Sequence, residues 1–287
     1  MSSVSEHPVA GSPAPTEAAA SGLLAGRRLV ITGVLTPRSI AFAVAQAAQA
    51  AGAEVLLTSV GRAVSLTQKS ARRLDPVPDV LDMDVTDAAA VAAAAQECER
   101  RWGGVDGVLH AVGFAPEDAL GGNFLNTPWE SVATAMHVSA FSLKTLAVAF
   151  APLMAETPGG GSVVSLTFDG SLAWPLYDWM GPAKAALEAI TRYLARDLGA
   201  RGIRVNAISA GPLETMAAKS IPGFRGLKDI WKERAPLSWD STDAAPVADV
   251  AVFLLSSLSR AVTGSVIHVD GGYHALGAPL VAEEQNP

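Results

Sequence analysis

Cysteine is nearly absent from this chain, since Cys98 is the only one in 287 residues. A single cysteine excludes an internal disulfide and a cluster of thiolate metal ligands, and it fits a reducing, cytoplasmic location. Basic residues are also few: 21 Lys and Arg stand against 28 Asp and Glu, a net charge of −7. Because no basic run offsets this balance, we expect no nucleic-acid surface. We also find no apolar run of the ~18 residues that a membrane span needs, so we expect no membrane insertion.

Large apolar residues are scarce at both ends of the chain. Residues 1–24 are mainly Ser, Pro, Ala and Gly, and they lack the basic stretch followed by an apolar stretch that marks a signal peptide. Residues 277–287 finish in the polar run AEEQNP. Such segments bury too little apolar surface to offset the entropy of ordering, so we predict disordered tails around one domain at 25–276.

Between the tails, short β-branched runs alternate with long Ala-rich stretches of helical pattern. Repeated strand–helix units with continuously apolar strands are typical of a parallel sheet covered on both faces. We therefore predict an α/β fold, a single-domain Rossmann-type doubly wound parallel sheet that binds ligands beyond the carboxyl ends of its strands. The predicted strands are 27–33, 53–59, 78–85, 105–113, 160–168, 203–209 and 265–272, and the predicted helices are 39–52, 62–74, 87–102, 129–154, 178–200, 215–235 and 246–258.

The glycine-rich fingerprint G-x-G-x-x-G is missing after the first strand, where Gly33 is the only glycine between Thr32 and Ala41. The loop still has the required mechanics, because Gly33 permits a tight turn and Ser39 stands at a favoured helix-capping position. The helix that follows would direct free N–H groups and a positive dipole end at a pyrophosphate. The loop alone fits a plain capped turn equally well.

Two further strand ends favour a dinucleotide site. Asp84 and Val85 end the third predicted strand, where the carboxylate would accept from an adenine amino group and the valine would pack on the ring. Gly113 ends the fourth, where a missing side chain lets a cofactor approach the backbone. The alternatives are that Asp84 caps the next helix and that Gly113 simply makes a turn.

Tyr177 and Lys184 stand seven residues apart at the start of an Ala-rich helix. Seven residues at about 100° each fall about 20° short of two turns, so a helix that begins near Tyr177 would present both side chains on one face. The two side chains would then contact two parts of one bound molecule. The alternative is an ordinary helix in which the tyrosine packs in the core and the lysine points to solvent. The apolar flanks of Lys184, and Phe168 at the end of the fifth predicted strand, favour a site.

Several motifs together resemble one family. They are G-x5-S-I-A at 33–41, D-V at 84–85, H-A-V-G-F at 110–114, F-x8-Y-x6-K at 168–184 and A-G-P-L-x-T at 210–215. This set is similar to that of the enoyl-acyl-carrier-protein reductases, a divergent branch of the short-chain dehydrogenases/reductases, and most of all to the mycobacterial and actinobacterial form. The resemblance covers all but the tails. Ordinary members of the superfamily have tyrosine four residues before lysine, where this chain has Met180.

The resemblance implies that NADH reduces a trans-2-enoyl thioester of acyl-carrier protein or coenzyme A. It implies that Tyr177 stabilises the enolate oxygen, Lys184 binds the nicotinamide ribose and Phe168 packs beside the nicotinamide and substrate. It implies no metal. The implied cofactor-binding residues are Gly33, Ser39, Ile40, Asp84, Val85, Gly113, Lys184, Leu213 and Thr215, and the implied substrate-binding residues are Phe168, Tyr177, Met180 and Met216.

The chain departs from the family pattern near the cofactor. Ala111 stands where the family often has serine, so a hydroxyl contact toward the pyrophosphate is missing. Val60 stands where actinobacterial relatives have an aromatic residue that stacks on adenine. Arg62 would compensate by stacking, or would favour a 2′-phosphate, so NADPH is possible beside the expected NADH.

Three further expectations follow from the resemblance. The segment 214–234 corresponds to the part that covers the acyl chain, and its shortness predicts ordinary rather than very long acyl chains; Lys219, Arg225 and Lys228 would meet an acidic carrier protein or simply be solvated. Trp239 and the C-terminal H-V-D-G-G-Y-H resemble subunit contacts of a homotetramer.

Two alternative functions stay open, namely a ketone or alcohol dehydrogenase of the same superfamily and an inactive dinucleotide-binding homologue. Three histidines inside apolar elements are expected to be packed and hydrogen-bonded rather than metal ligands: His110, His137 and His268.

Overall fold

One seven-stranded parallel sheet organises the protein, with the strand order β3-β2-β1-β4-β5-β6-β7. The computed structural model describes residues 22–155, 157, 159–219 and 221–277. The strands are β1 Arg28–Thr32, β2 Glu54–Ser59, β3 Val80–Asp82, β4 Gly107–His110, β5 Ser162–Thr167, β6 Arg204–Ala210 and β7 Val266–Val269. The α/β doubly wound fold predicted from the sequence is confirmed.

Helices cover both faces of this sheet. They are α1 Ile40–Ala50, α2 Ala63–Ala71, α3 Ala88–Trp102, α4 Trp129–Met136, α5 Ser142–Ala155, α6 Met180–Leu198, α7 Met216–Lys219, α8 Phe224–Arg234 and α9 Ala245–Leu255. Single 3₁₀ turns lie at Glu117–Ala119, Phe124–Asn126, Gly199–Arg201, Ser257–Ser259 and Tyr273–Ala275.

The alternation of side chains along β1 separates two cores. Leu29 and Ile31 pack with α1, α2 and α9 on one face, whereas Val30 packs with α3, α5 and α6 on the other. Successive side chains of a strand point to opposite faces, so a strand that is apolar at every position must be covered on both. This explains why the central strands read as unbroken apolar runs.

The direction in which strands are added reverses between β1 and β4, which are neighbours. A crevice opens at such a point beyond the carboxyl ends of the strands. Gly33, directly after β1, has φ +82, and a Cβ built on it would lie 2.1 Å from the Ala111 carbonyl oxygen. Only glycine therefore fits where the two loops cross.

The helix predicted over 129–154 is interrupted. A π turn at His137–Phe141 separates α4 from α5. Within it, Ser139 Oγ accepts from the Phe114 N–H and donates to the Phe114 carbonyl, both at 2.9 Å. Turns of this kind add one residue to a helix and are frequent at functional sites. Here the turn ties the helix to the backbone beside Gly113.

The stretch Trp129–Ala155 also overturns the expectation that no segment has membrane-spanning length. It is long and apolar enough by length and composition, with a mean hydropathy of 1.6. However, 56% of its most apolar window is buried inside the protein, and the buried side of α5 packs against β4 and β5. This is the pattern of a core helix.

Other boundaries also differ from the prediction. The strand β3 ends at Asp82 and β4 at His110, so Asp84 and Gly113 lie in the loops beyond them. The region predicted as helical over 215–235 is divided into α7 and α8, and Gly223 at φ +75 precedes α8. Leu24 is fully buried and its N–H bonds to the Ala51 carbonyl, so the predicted N-terminal tail is too long by at least that residue. The remainder of both tails, apart from 22–24 and 277, lies outside the described residues.

Candidate active site

A cavity of about 790 Å³ lies at the carboxyl edge of the sheet. The structure brings every residue that the sequence analysis assigned to catalysis, cofactor or substrate to the wall of this one cavity. They are Gly33, Ser39, Ile40, Asp84, Val85, Gly113, Phe168, Tyr177, Met180, Lys184, Leu213, Thr215 and Met216.

Ser39 precedes α1, but its side chain does not cap the helix. Its Oγ turns back and accepts from the N–H groups of Leu35 (3.2 Å) and Thr36 (3.0 Å). This corrects the expected capping role. The consequence favours anion binding, because the N–H groups of Ile40 and Ala41 donate to no described residue and stand at the positive end of the helix.

Asp84 keeps one carboxylate oxygen available to the cavity. Its Oδ1 accepts from the Thr86 N–H (2.8 Å) and hydroxyl (2.7 Å), and these bonds lower the pKa of the carboxyl. No described residue donates to Oδ2. The alternative that Asp84 caps the following helix is wrong, since Asp87 accepts from Ala89 N–H at the start of α3.

Lys184 is a buried cation. Its Nζ donates to the Leu166 carbonyl at 3.0 Å, and a Cβ built on Gly113 would lie 3.7 Å from it. Burial lowers the pKa of this ammonium to about 8, and the negative charge of Glu188, one turn along α6, acts in the opposite direction. Sequence reasoning missed Glu188, whose Oε1 accepts from Thr167 Oγ1 and Gly170 N–H.

Tyr177 does not belong to the helix, because α6 begins only at Met180. The helical-face argument for its pairing with Lys184 is therefore wrong, although both side chains reach the same cavity. Tyr177 is buried, and burial raises the pKa of its phenol. Its ring meets Phe168 edge-on, with centroids 5.4 Å apart. The hydroxyl makes no hydrogen bond to any described residue, so it is free to donate to a ligand in the cavity.

The rest of the cavity wall is largely apolar. Met180 and Met216 contribute to it together with residues that the sequence analysis did not identify individually: Leu35, Leu120, Val138, Ile221, Phe224 and Leu227. The last three lie in the segment 214–234, which was expected to cover an acyl chain. No local signal marks Leu120 or Val138, because they arrive from loops and helices distant in sequence.

The described residues contain no group of His, Cys, Asp or Glu that could hold a metal ion. His110 is packed as expected: its Nε2 lies 2.7 Å from Ser142 Oγ, and burial lowers the pKa of the imidazole to about 3. His137 is exposed, which corrects its expected packing. His268 is half-buried and stacks on His274, with centroids 4.0 Å apart.

The cavity has the donor set and shape for a dinucleotide. Free N–H groups at α1 suit a pyrophosphate, the open Asp84 oxygen suits an adenine amino group, and Lys184 beside Gly113 suits ribose hydroxyls. Ser59 and Val60 also line the wall, and Val60 is exposed. Arg62 nearby makes no ion pair within the described part of the chain.

Comparison with known proteins gives concordant matches. Residues 33–274 match the family model described as Enoyl-(Acyl carrier protein) reductase. The chain is 40% identical over 266 residues to the enoyl-[acyl-carrier-protein] reductase [NADH] of Mycolicibacterium smegmatis, covering 88% of this chain and 97% of that protein. It is 44% identical over 271 residues to enoyl-[acyl-carrier-protein] reductase [NADH] 1 of Rhizobium meliloti, covering 92% and 96%.

A solved structure is also similar. The Bacillus cereus enoyl-acyl carrier protein reductase, crystallised with NADP+ and indole naphthyridinone, superimposes with a TM-score of 0.85 at 41% identity. The match covers 90% of this chain and 100% of that one. The likeness expected for mycobacterial forms is thus shared with relatives from other bacteria.

Proposed function

The chain belongs to the enoyl-(acyl-carrier-protein) reductase family, and on this premise we propose that it reduces trans-2-enoyl thioesters to saturated acyl thioesters in fatty-acid synthesis, with NADH as the reductant. The observation that carries the proposal is the placement of three groups in one cavity: the Tyr177 phenol, the buried Lys184 ammonium and the N-terminus of α1. Neither the phenol hydroxyl nor the first N–H groups of α1 bond to any described residue.

Tyr177 would act on the thioester oxygen. Hydride addition at C3 places negative charge on that oxygen, and the phenol is available to donate a hydrogen bond to it. A donor aimed at charge that develops in the transition state accelerates the reaction more than it strengthens ground-state binding. Burial raises the pKa of Tyr177, which keeps the phenol protonated and therefore able to donate at neutral pH.

Lys184 would hold the nicotinamide ribose and place positive charge near the developing anion. Its Nζ already donates to the Leu166 carbonyl, which leaves further N–H donors for the ribose hydroxyls. Phe168 would form the wall behind the nicotinamide ring. Its own ring packs on Tyr177 and on Trp174, and the Phe168 and Trp174 centroids are 4.9 Å apart.

The remaining cofactor contacts would be divided between the two halves of the sheet. Bound NADH supplies the hydride, and the chain supplies placement. Ile40 and Ala41 would hold the pyrophosphate, Asp84 and Val85 the adenine, and Leu213 and Thr215 the nicotinamide end. Gly33, Ser39 and Gly113, which also line the cavity, would leave room for the cofactor. Because Arg62 is exposed and unpaired among the described residues, NADPH would be accepted as a secondary donor.

The apolar part of the cavity wall, which includes Met180 and Met216, would hold the acyl chain. The short segment 214–234 favours ordinary acyl lengths, since ligand pockets of ordinary size hold molecules of moderate length, and a clear gain in turnover beyond about sixteen carbons would contradict this. Lys228 pairs with Glu214, so of the three expected carrier-protein contacts only Lys219 and Arg225 have no ion pair with a described residue.

We also propose a cytoplasmic homotetramer. Trp239 is buried within its own chain and donates to the Pro212 carbonyl, so it is unsuited to the direct subunit contact that we expected of it. Exposed apolar side chains offer other contacts: Phe141 at the end of the π turn and Val148 of α5 are about half exposed, and Leu237 is 85% exposed. Light scattering coupled to size-exclusion chromatography tests the state.

The decisive test is the decay of NADH absorbance when a trans-2-enoyl thioester is added to the protein. We expect turnover that falls on the order of a hundredfold in Tyr177→Phe, the usual consequence of losing one oxyanion donor. Tyr193→Phe is the matched control, because Tyr193 is 62% exposed on α6 and does not line the cavity.

Three outcomes would contradict the proposal. An unchanged rate in Tyr177→Phe would remove the assigned role of the phenol. Reduction of ketones without reduction of enoyl thioesters would restore the dehydrogenase alternative, which the apolar, buried Met180 at the position of the ordinary catalytic tyrosine argues against. Binding of NADH with no turnover of either substrate would indicate an inactive homologue.

A further inference from the structure

Tyr177 stands between two residues in an unfavourable backbone conformation. Leu176 has φ +61 and Asp178 has φ +38; among the described residues, only Ser238 is another non-glycine with positive φ. The left-handed region is unfavourable for an L-residue such as leucine, and less so for aspartate. Strain of this kind persists only where the surroundings impose it, and it is concentrated at functional sites.

The surroundings that impose it are one loop, Ala119–Phe124, which we name the clamp loop. Asp178 Oδ2 accepts from the N–H groups of Gly122 (2.6 Å) and Asn123 (2.9 Å). The Leu176 carbonyl accepts from the Gly121 N–H at 3.0 Å. The clamp loop therefore holds the chain on both sides of Tyr177.

Trp179 extends the contact. Its backbone N–H donates to the Ala119 carbonyl (3.2 Å), its Nε1 donates to the Phe124 carbonyl (3.0 Å), and its ring stacks on that of Phe124 with centroids 4.8 Å apart. Of the four residues 176–179, only Tyr177 makes no hydrogen bond to the clamp loop. The phenol is thus positioned by its neighbours while its hydroxyl stays available.

We propose that Asp178 is the positioning residue for Tyr177: its carboxylate, bonded to the clamp loop, fixes the strained turn that directs the phenol into the cavity. This inference rests on the proposed function for its catalytic consequence. No described residue forms a hydrogen bond with the Tyr177 hydroxyl, so its place depends on the backbone turn and on ring packing against Phe168. A misplacement of about 1 Å at such a group lowers a rate by about a hundredfold.

Two substitutions separate the carboxylate's hydrogen bonds from the backbone strain. Asp178→Asn keeps an acceptor oxygen for Gly122 and Asn123, and asparagine tolerates positive φ. Asp178→Gly introduces a residue that adopts positive φ even more readily, but it removes the oxygen that accepts from Gly122 and Asn123. Asp243→Gly is the matched control, because Asp243 also accepts a backbone N–H, that of Ala245 at 2.8 Å, and does not line the cavity.

The first measurement is steady-state kinetics with NADH and an enoyl thioester. We expect Asp178→Gly to lower kcat at least tenfold, with the Kd of NADH changed less than twofold, because the Lys184 side of the cavity is untouched. Asp178→Asn should restore kcat to within about threefold of the original protein. Loss of NADH affinity in parallel with kcat, or an equal loss in Asp243→Gly, would indicate general destabilisation and overturn the proposal.

The second measurement needs neither cofactor nor activity. The chain has three tyrosines, so ring-labelled tyrosine gives a resolvable NMR spectrum of the unliganded protein, in which Tyr177→Phe assigns one signal. We expect that signal to move in Asp178→Gly and to stay in Asp178→Asn and Asp243→Gly. An unmoved signal in Asp178→Gly would refute the positioning role, even if the protein reduces no enoyl thioester; a moved signal without turnover would refute only the proposed function.

Discussion

Binding of NADH should weaken as the pH rises through about 8, because Lys184 then loses its proton. Burial lowers the pKa of this ammonium from 10.5 to about 8 in the unliganded protein, a difference that corresponds to about 3 kcal/mol at 1.36 kcal/mol per unit. The charged form is therefore disfavoured in the fold. As the pH rises from about 8 toward 10.5, the unfolded chain retains a proton that the folded chain has released, so folding stability from this group increases over that window.

The effect on binding has the opposite direction. If the ammonium is needed for the ribose contact, one unit above the pKa only about a tenth of the sites are competent, and the Kd rises about tenfold between pH 7 and 9. Fluorescence titration of NADH at constant ionic strength measures this. Lys184→Met should bind weakly and show no such dependence.

Glu188→Gln provides the internal check. Its negative charge raises the pKa of Lys184, and glutamine keeps an acceptor for Thr167 and Gly170. The midpoint of the binding curve should therefore move below that of the original protein, with the fold preserved. A Kd that stays constant from pH 7 to 9 in the original protein, or a midpoint that Glu188→Gln leaves in place, would refute the reasoning.

Three further predictions concern single residues. Burial lowers the pKa of His110 to about 3, so the stability that the neutral imidazole contributes is complete above about pH 6.5 and is lost as the pH falls. Urea unfolding should therefore show a free energy of unfolding about 2 kcal/mol lower at pH 5 than at pH 7, a loss that His110→Leu should lack. An equal dependence on pH in both proteins would contradict this prediction. Gly33→Ala should destabilise the protein by several times the roughly 1 kcal/mol of Gly26→Ala, because both have positive φ but only Gly33 faces a backbone atom, at 2.1 Å; thermal unfolding compares them, and equal losses would disprove the crowding argument. Arg62→Ala should weaken NADPH binding at least fivefold and leave NADH binding nearly unchanged; parallel titrations decide, and equal effects would assign Arg62 to adenine stacking instead.

The sequence predicts the site well where strand ends determine position. Gly33, Asp84, Gly113 and Phe168 each follow a strand of a parallel sheet, and the carboxyl ends of such strands meet at one edge, so their convergence is a matter of topology. The order of strands and helices along the chain is therefore enough to predict that these residues line a single cavity.

Tyr177 could not be placed by the same reasoning. Helical spacing predicted that it shares a face with Lys184, but it precedes α6 in a turn that local propensity disfavours. Contacts with the clamp loop, more than fifty residues away in sequence, impose that turn. Likewise, Ser39 carries the composition of a helix cap and yet bonds to the loop before it. In both places tertiary contacts override the local pattern.

The π turn at His137–Phe141 makes the length of this helical stretch a fixed dimension of the scaffold. Removing one residue would rotate α4 against α5 by about 100°. Either Ser139 would then leave the Phe114 backbone, or the apolar stripe of α5 would turn away from the sheet. Natural variation in this protein and its descendants should thus accommodate insertions and deletions in surface loops, while residues 129–155 diverge by substitution alone.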